Sequence, residues 1–387
     1  MFSIEKKVWQ LIRRHMLALL LAAGVLLSAW VRFAARGYVS WDMTHAFLPW
    51  HEQFRAGGLA TLKTGVGDYS LAYQFFIAVM AQLPINPVYG YKVFSILFDY
   101  LLAAAVGYLA YMLTGSRNKG GAACLITLFL PMVWLNSAAW GQCDAIYVFF
   151  CVLSVIFLLK QRPIACFIAY GAALAFKLQA VFLLPFLLFA YAFTGKFSLA
   201  HFLLTPGVML VSGLPAFLMG RPLVDLFRIY AAQTRYSPMA SLSYPSFWTL
   251  MTPIRYAENY AIFHAAGISL AVISLALMMW CVFVHRQSLE RGELLALSFL
   301  FAYACVFFLP NMHERYDYLP IILCLALVLA KPKMLPILLG LVYINLRTYS
   351  DLFAMPKNWL GLSVVNAVCF ALSAAVILRD IARTAKD

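Results

Sequence analysis

The sequence predicts an all-α, polytopic membrane protein with about twelve transmembrane helices and interfacial helices in its first long loop. Composition is the first reason. Of 387 residues, 64% are apolar and only 11% are charged, with a mean hydropathy of +0.84. A soluble domain carries about 25% charged residues, enough to coat its surface, and this chain does not. Apolar runs of spanning length are the second reason, and the alternation of basic residues between connections is the third. Together these exclude a disordered chain, a disulfide scaffold and a soluble nucleic-acid binder. The formal charge of +14 fits basic residues that set orientation in the bilayer, so no nucleic-acid partner is expected. All cysteines but Cys143 lie inside apolar runs and no CxxC occurs, which reads as small core residues and not as bridges or zinc ligands.

A spanning helix needs about 20 mostly apolar residues. Such runs fall near 16–35, 88–114, 120–137, 144–160, 163–180, 181–195, 198–219, 258–284, 293–310, 315–330, 333–350 and 359–379. Tyr69–Leu83 is apolar but short, lies between a glycine-rich acidic loop and Pro84, and reads as interfacial or re-entrant. With the N-terminus inside, one side collects Lys6, Lys7, Arg13, Arg14, Arg117, Lys119, Lys160, Arg162, Lys196, Arg286, Arg291, Lys331, Lys333, Arg379, Arg383 and Lys386. That side holds only five of the 15 acids. Counting 69–83 as a full span would break this alternation. The basic start leads into a full-length apolar run without an Ala-x-Ala site, so no cleavable signal is expected.

No internal repeat or linker stands out, and residues 1–387 read as a single integral membrane domain. Its long polar connections, 36–87 and 221–257, both fall on the outward side, where aromatic, acidic and histidine-bearing loops collect and function is expected.

Four outward segments could carry chemistry. In Trp41-Asp-Met-Thr-His-Ala-Phe-Leu-Pro-Trp50, Asp42 lies near the membrane surface between two tryptophans suited to the interfacial belt. A carboxylate there could accept a proton from a hydroxyl nucleophile; a solvated loop acid or a helix cap would use the same residue. Asp42, His45 and Glu52 could hold a metal by spacing alone, but no HExxH or DxD supports it. In Asn136-Ser-Ala-Ala-Trp-Gly-Gln-Cys-Asp144, the polar residues Trp140, Gln142 and Asp144 crowd the mouth of two apolar helices. Burying Asp144 there is expensive without partners, so it orients a substrate or the first loop, or it caps the next helix.

The loop 221–257 sets Arg221, Arg228, Arg235 and Arg255 among tyrosines, a pattern suited to a phosphate or to snorkelling at the interface. Late in the chain, Met312-His-Glu-Arg-Tyr-Asp317 packs His313, Glu314, Arg315 and Asp317 between two apolar runs, which demands pairing or function. Lys177 ends the fifth run within reach of the same phosphate. Lys92 and Asp99 share a helical face, i and i+7, and read as a structural pair or as pore-facing groups.

The order of these motifs resembles the GT-C glycosyltransferases, most nearly the bacterial and GPI-anchor mannosyltransferase-like group. Trp140-Gly-Gln-Cys-Asp144, Lys177-Leu-Gln179 and Met312-His-Glu-Arg-Tyr316 carry the resemblance, over roughly residues 30–320. It implies a GT-C-like bundle and a hexosyltransferase that moves one mannose- or hexose-like sugar from a polyprenyl-phosphate carrier to a hydroxyl on a glycan, lipid or protein. Asp42 matches the general base of that family. Trp140, Gln142, Asp144, Lys177, Arg235, His313, Glu314, Arg315 and Tyr316 would bind the donor phosphate or the acceptor. The chain lacks the DxD of metal-dependent relatives, so neither metal nor cofactor is expected. One base and a single displacement imply inversion at the anomeric carbon. The expected location is a bacterial plasma membrane, with the site on its extracytoplasmic face. A flippase or transporter of a lipid-linked sugar is the competing reading, since transporters place polar groups at mid-membrane as Lys92 and Asp99 would be.

Overall fold

The computed structural model describes residues 3–234, 239–251, 260–349 and 358–383. Among these the regular structure is entirely helical. In chain order the α-helices are α1 (Ser3–Ala35), α2 (Leu48–Gly57), α3 (Leu71–Met80), α4 (Pro87–Thr114), α5 (Arg117–Phe129), α6 (Pro131–Trp134), α7 (Asp144–Leu159), α8 (Pro163–Phe176) and α9 (Leu184–Thr194). There follow α10 (Leu204–Leu218), α11 (Asp225–Gln233), α12 (Phe247–Met251), α13 (Tyr260–His285), α14 (Arg291–Phe308), α15 (Tyr318–Ala330), α16 (Leu335–Thr348) and α17 (Trp359–Arg383).

The protein is an α-helical, multi-pass membrane protein, but the expected count of about twelve spans does not hold. Six helices among the described residues are long and apolar enough to cross a bilayer: Ile4–Ala35, Pro87–Thr114, Leu199–Leu218, Tyr260–His285, Arg291–Phe308 and Trp359–Arg383. A seventh arises if Arg117–Phe129 and Pro131–Trp140 count as one span bent by 52°. That bend follows from sequence, because Leu130 precedes Pro131 and takes the extended backbone (φ −56°, ψ 126°) that proline imposes on its predecessor.

The remaining expected spans lie on shorter helices. α7 has 16 residues, α8 14, α9 11, α15 13 and α16 14. At 1.5 Å per residue the longest of these reaches about 24 Å, short of the roughly 30 Å hydrocarbon thickness. The expected span 163–180 is broken at Lys177, whose backbone is extended (φ −152°, ψ 135°). An apolar helix need not face lipid: Tyr318 to Leu327 of α15 is buried throughout, so its hydrophobicity serves contact with other helices.

Two polar ties lock α1 to α4. Arg32 and Asp99, 2% and 0% exposed, form an ion pair at 2.9 Å, and the same Asp99 oxygen accepts from Ser137 Oγ at 2.5 Å. The Arg32 guanidinium also donates to the carbonyls of Ser28 and Leu128. One turn pair away, Lys92 Nζ donates to the carbonyls of Ala35 (3.3 Å), Arg36 (3.0 Å) and Tyr38 (2.6 Å). It thereby ties α4 to the end of α1 and to the turn that follows it. Lys92 and Asp99 are thus structural, as the sequence suggested, but each pairs with α1 and not with the other. This anchorage fixes where the chain leaves α1 and enters the turn that carries Asp42.

Removing one member of the Arg32–Asp99 pair strands a buried charge, at a cost of about 3–5 kcal/mol. Asp99→Ala should therefore lower the thermal unfolding midpoint in detergent sharply. The double variant Arg32→Met/Asp99→Leu should unfold closer to wild type than either single change.

Candidate functional site

Three segments far apart in sequence meet at one end of the bundle. The first is the stretch from Ser40 to Phe47, which runs through a widened π-helical turn, Met43–Phe47, into α2. Ser40 Oγ donates to the Trp140 carbonyl (2.7 Å) and accepts from the Met43 amide (3.1 Å), joining this stretch to the second segment. There a second π-helical turn, Leu135–Trp140, ends at Gly141 with φ 80°. The left-handed conformation at Gly141 favours glycine, and a Cβ there would also push the Met43 methyl group aside. Turns of this type recur at functional sites because they widen the helix and redirect side chains.

The third segment is the connection from α14 to α15. Asn311 turns the chain with φ 62°, a region asparagine tolerates, and its side chain donates to Tyr260 Oη at 2.5 Å. Turn hydrogen bonds from Tyr316 N to the His313 carbonyl and from Tyr318 N to the Arg315 carbonyl then carry the chain to α15.

These segments enclose a cavity of about 620 Å³. Asp42, Trp140, Gln142, Lys177, His313, Glu314, Arg315 and Tyr316 all line it. Asp144 lies immediately beneath, fully buried, at the start of α7. Arg235 and Arg255 fall outside the described residues. Two of their loop neighbours are committed elsewhere: Arg221 bonds Gln74 (3.0 Å) and Asp225 (3.2 Å), and the exposed Arg228 pairs with Asp225 at 3.4 Å. Neither Arg221 nor Arg228 lines the cavity, so the suggestion that they bind a phosphate there is corrected.

The half-buried Asp42 carboxylate is held on one side only. Gln142 Nε2 donates to Asp42 Oδ2 at 2.5 Å, while Tyr69 Oη donates to Gln142 Oε1 at 2.6 Å, which sets the amide orientation. Asp42 Oδ1 has no hydrogen bond among the described residues. Deeper in, Asp144 Oδ1 accepts from Lys177 Nζ (2.5 Å), and Oδ2 accepts from Asn136 Nδ2 (2.8 Å) and Arg315 Nη1 (3.4 Å). Asn136 returns the contact through Oδ1, which accepts from the Asp144 amide at 3.3 Å. Arg315 Nε donates to Glu314 Oε1 at 3.0 Å, and the guanidinium lies 5.4 Å from the Trp140 ring centre.

Charge in the pocket is unevenly balanced. The carboxylates Asp42, Asp68, Asp144 and Glu314 stand against two permanent cations, Lys177 and Arg315. Burial alone would raise the Glu314 carboxyl. The His313 ring, 3.8 Å away, and the Arg315 charge overcome that and bring it down to about 2. The neighbouring Asp317 behaves oppositely: burial raises its carboxyl well above the usual range, against the hydrogen bond from Asn345 (2.7 Å). Among the described residues no group of three His, Cys, Asp or Glu side chains is placed to hold a metal ion.

Several neighbours of the cavity were not singled out from sequence. Tyr69 appeared only as the start of the apolar run 69–83, and its bond to Gln142 depends on a fold that no local pattern announces. Tyr349 contacts Asn136 (3.3 Å) and packs edge-on against Trp140, yet it lay unmarked at the end of an apolar run. Asp68 lines the cavity beside Tyr69. Its place after Gly65 and Gly67 was the available signal.

No protein-family model matches this chain, and no curated protein matches it either.

Two pH-dependent outcomes follow. Glu314 is ionised in the folded state at a lower pH than in the unfolded chain, so its contribution is complete above about pH 4.5 and is lost as pH falls toward 2. The full linkage is about 3 kcal/mol. Acid titration of the unfolding midpoint should show this slope in wild type, and Glu314→Gln should flatten it. Burial raises the Asp317 carboxyl, so its contribution is lost as pH rises above the ordinary carboxylate range; Asp317→Asn should weaken that decline in the unfolding midpoint.

Proposed function

We propose that this cavity is the active site of an inverting, metal-independent glycosyltransferase that moves one hexose, mannose-like, from a polyprenyl-phosphate carrier to an acceptor hydroxyl. The supporting observation is the placement of Asp42. Its carboxylate is fixed through one oxygen by Gln142, leaves the other oxygen open to the cavity, and shares that cavity with His313 and Arg315.

The chemistry needs no nucleotide, because a phosphate on the anomeric carbon is already a leaving group. The acceptor O–H gives its proton to Asp42 as its oxygen forms a bond to the anomeric carbon. The bond from that carbon to the phosphate oxygen breaks with its electron pair, releasing polyprenyl phosphate. Attack opposite the departing phosphate inverts the configuration. Arg315 is the main candidate to take up the developing charge, since Nη2 has no hydrogen bond among the described residues. Its bonds to Asp144 and Glu314 hold the guanidinium in place before substrate arrives, so little reorganisation is needed during the reaction. Lys177, bound to Asp144, adds positive charge from below. Trp41, Trp50, Tyr69, Trp140 and Tyr316 give the cavity the flat apolar walls on which sugar rings stack.

As part of this proposal the cavity opens on the extracytoplasmic face of a bacterial plasma membrane, an expectation drawn from the basic residues of the sequence. Lys92 and Asp99, the groups that suggested transport of a lipid-linked sugar, are bound to the end of α1 and the turn after it.

In a purified assay with a radiolabelled polyprenyl-phosphate sugar, Asp42→Asn should lower the transfer rate by about 10²–10⁴-fold, the usual contribution of a general base. Donor binding should stay within a few-fold of wild type. An undiminished rate would remove Asp42 from the mechanism. Movement of lipid-linked sugar between leaflets of proteoliposomes without acceptor would favour transport instead.

A further inference from the structure

A second cavity, of about 180 Å³, lies at the far end of α7. Asp144 starts that helix and Leu158 and Leu159, which line the second cavity, end it. Sixteen residues place the two about 24 Å apart, so this cavity is separate from the site above. Three connections build it: the tight turn from α7 to α8, the loop after α9, and the loop before α14. Each contributes one cation, Arg162, Lys196 and Arg291 respectively. None of the three forms an ion pair or side-chain hydrogen bond among the described residues.

The nearby acids are already engaged. Glu293 binds Arg286 through both oxygens (2.8 and 3.1 Å) and accepts from the Glu290 amide (2.8 Å), while the exposed Glu290 side chain forms no ion pair with the three cations. Three exposed cations therefore line one concavity with no ion pair among the described residues. Basic loops on one side of a membrane protein are usual, but that rule does not require three of them to surround a cavity. The lining is also divided by chemistry. Gln161, Gln287 and Ser288 add hydrogen-bonding groups beside the cations, whereas Phe193, Phe197 and Leu294 form an apolar part.

We propose that this cavity binds a phosphate group, with Arg162, Lys196 and Arg291 as its ligands. Arginine suits a phosphate because its planar N–H groups match two phosphate oxygens at once. A membrane offers this chemistry as the headgroup of an anionic phospholipid, whose acyl chains the apolar lining would receive. Free inorganic phosphate offers it without the chains.

The test titrates the purified, full-length protein in neutral detergent with phosphatidylglycerol in one arm and sodium phosphate in the other, following the thermal unfolding midpoint. Wild type should show a saturable upward shift. Arg162→Gln/Arg291→Gln should raise the concentration giving half the shift by about tenfold or more. Arg117→Gln/Lys119→Gln removes the same charge away from the cavity and should leave it within about twofold. A shift with phosphatidylglycerol alone identifies a lipid headgroup as the ligand; one with sodium phosphate as well identifies the phosphate itself as sufficient. No saturable shift with either probe, or equal weakening by both double variants, would overturn the proposal.

Discussion

The buried carboxylate of Asp144 is the constraint on which the site depends. It sits at the start of α7 with no exposure, where an unpaired charge would be untenable, and it draws in Lys177, Asn136 and Arg315 from three separate stretches of chain. The consequences are local and visible. Lys177 breaks the helical backbone between α8 and α9 at the residue whose ammonium reaches Asp144. Arg315 is held against Trp140 and Glu314. Asn136 pins the π-helical turn that presents Trp140 and Gln142. Loss of this carboxylate would leave two cations without their shared partner and three segments without their common anchor.

The same network decides what the cavity can do. Its cations do not wait as free phosphate traps; they are bound to carboxylates, and the carboxylates outnumber them. An incoming anion must use the donors left over on Arg315 and compete with groups already in place. Such a site has weak ground-state attraction for a phosphate and a rigid arrangement of donors. That combination favours stabilising charge that develops during bond breaking over gripping charge that is already present. Asp42 complements it from the opposite wall, fixed by Gln142 and Tyr69 and open on its second oxygen.

Much of the site was legible as motif. The clusters around Asp42, Trp140–Asp144, Lys177 and His313–Tyr316 each put polar residues where apolar helices end, and such residues seldom sit near lipid without partners or purpose. Their convergence was an inference; Asp42, Trp140, Gln142, Lys177, His313, Glu314, Arg315 and Tyr316 line one cavity, and Asp144 lies beneath it. What could not be read was the pairing inside it. Nothing in the spacing says that Arg315 binds Asp144, or that Tyr69 and Tyr349 complete the network. Likewise Lys92 and Asp99 were suggestive by their i, i+7 spacing, but seven residues on a helix bring groups to one face without bringing them into contact. Their partners lay on α1.

Sequence alone determined the all-helical, membrane-embedded character of this protein and the stretches that hold its polar chemistry. Both follow from quantities that add along the chain: transfer of apolar residues out of water, and the cost of placing charge near lipid. Tertiary structure alone decided how many helices are long enough to cross the bilayer, where they bend, and which charge neutralises which. Those outcomes depend on neighbours through space. A helix surrounded by protein can be as apolar as one facing lipid and far shorter, and a buried charge is tolerated only where a distant residue arrives to meet it.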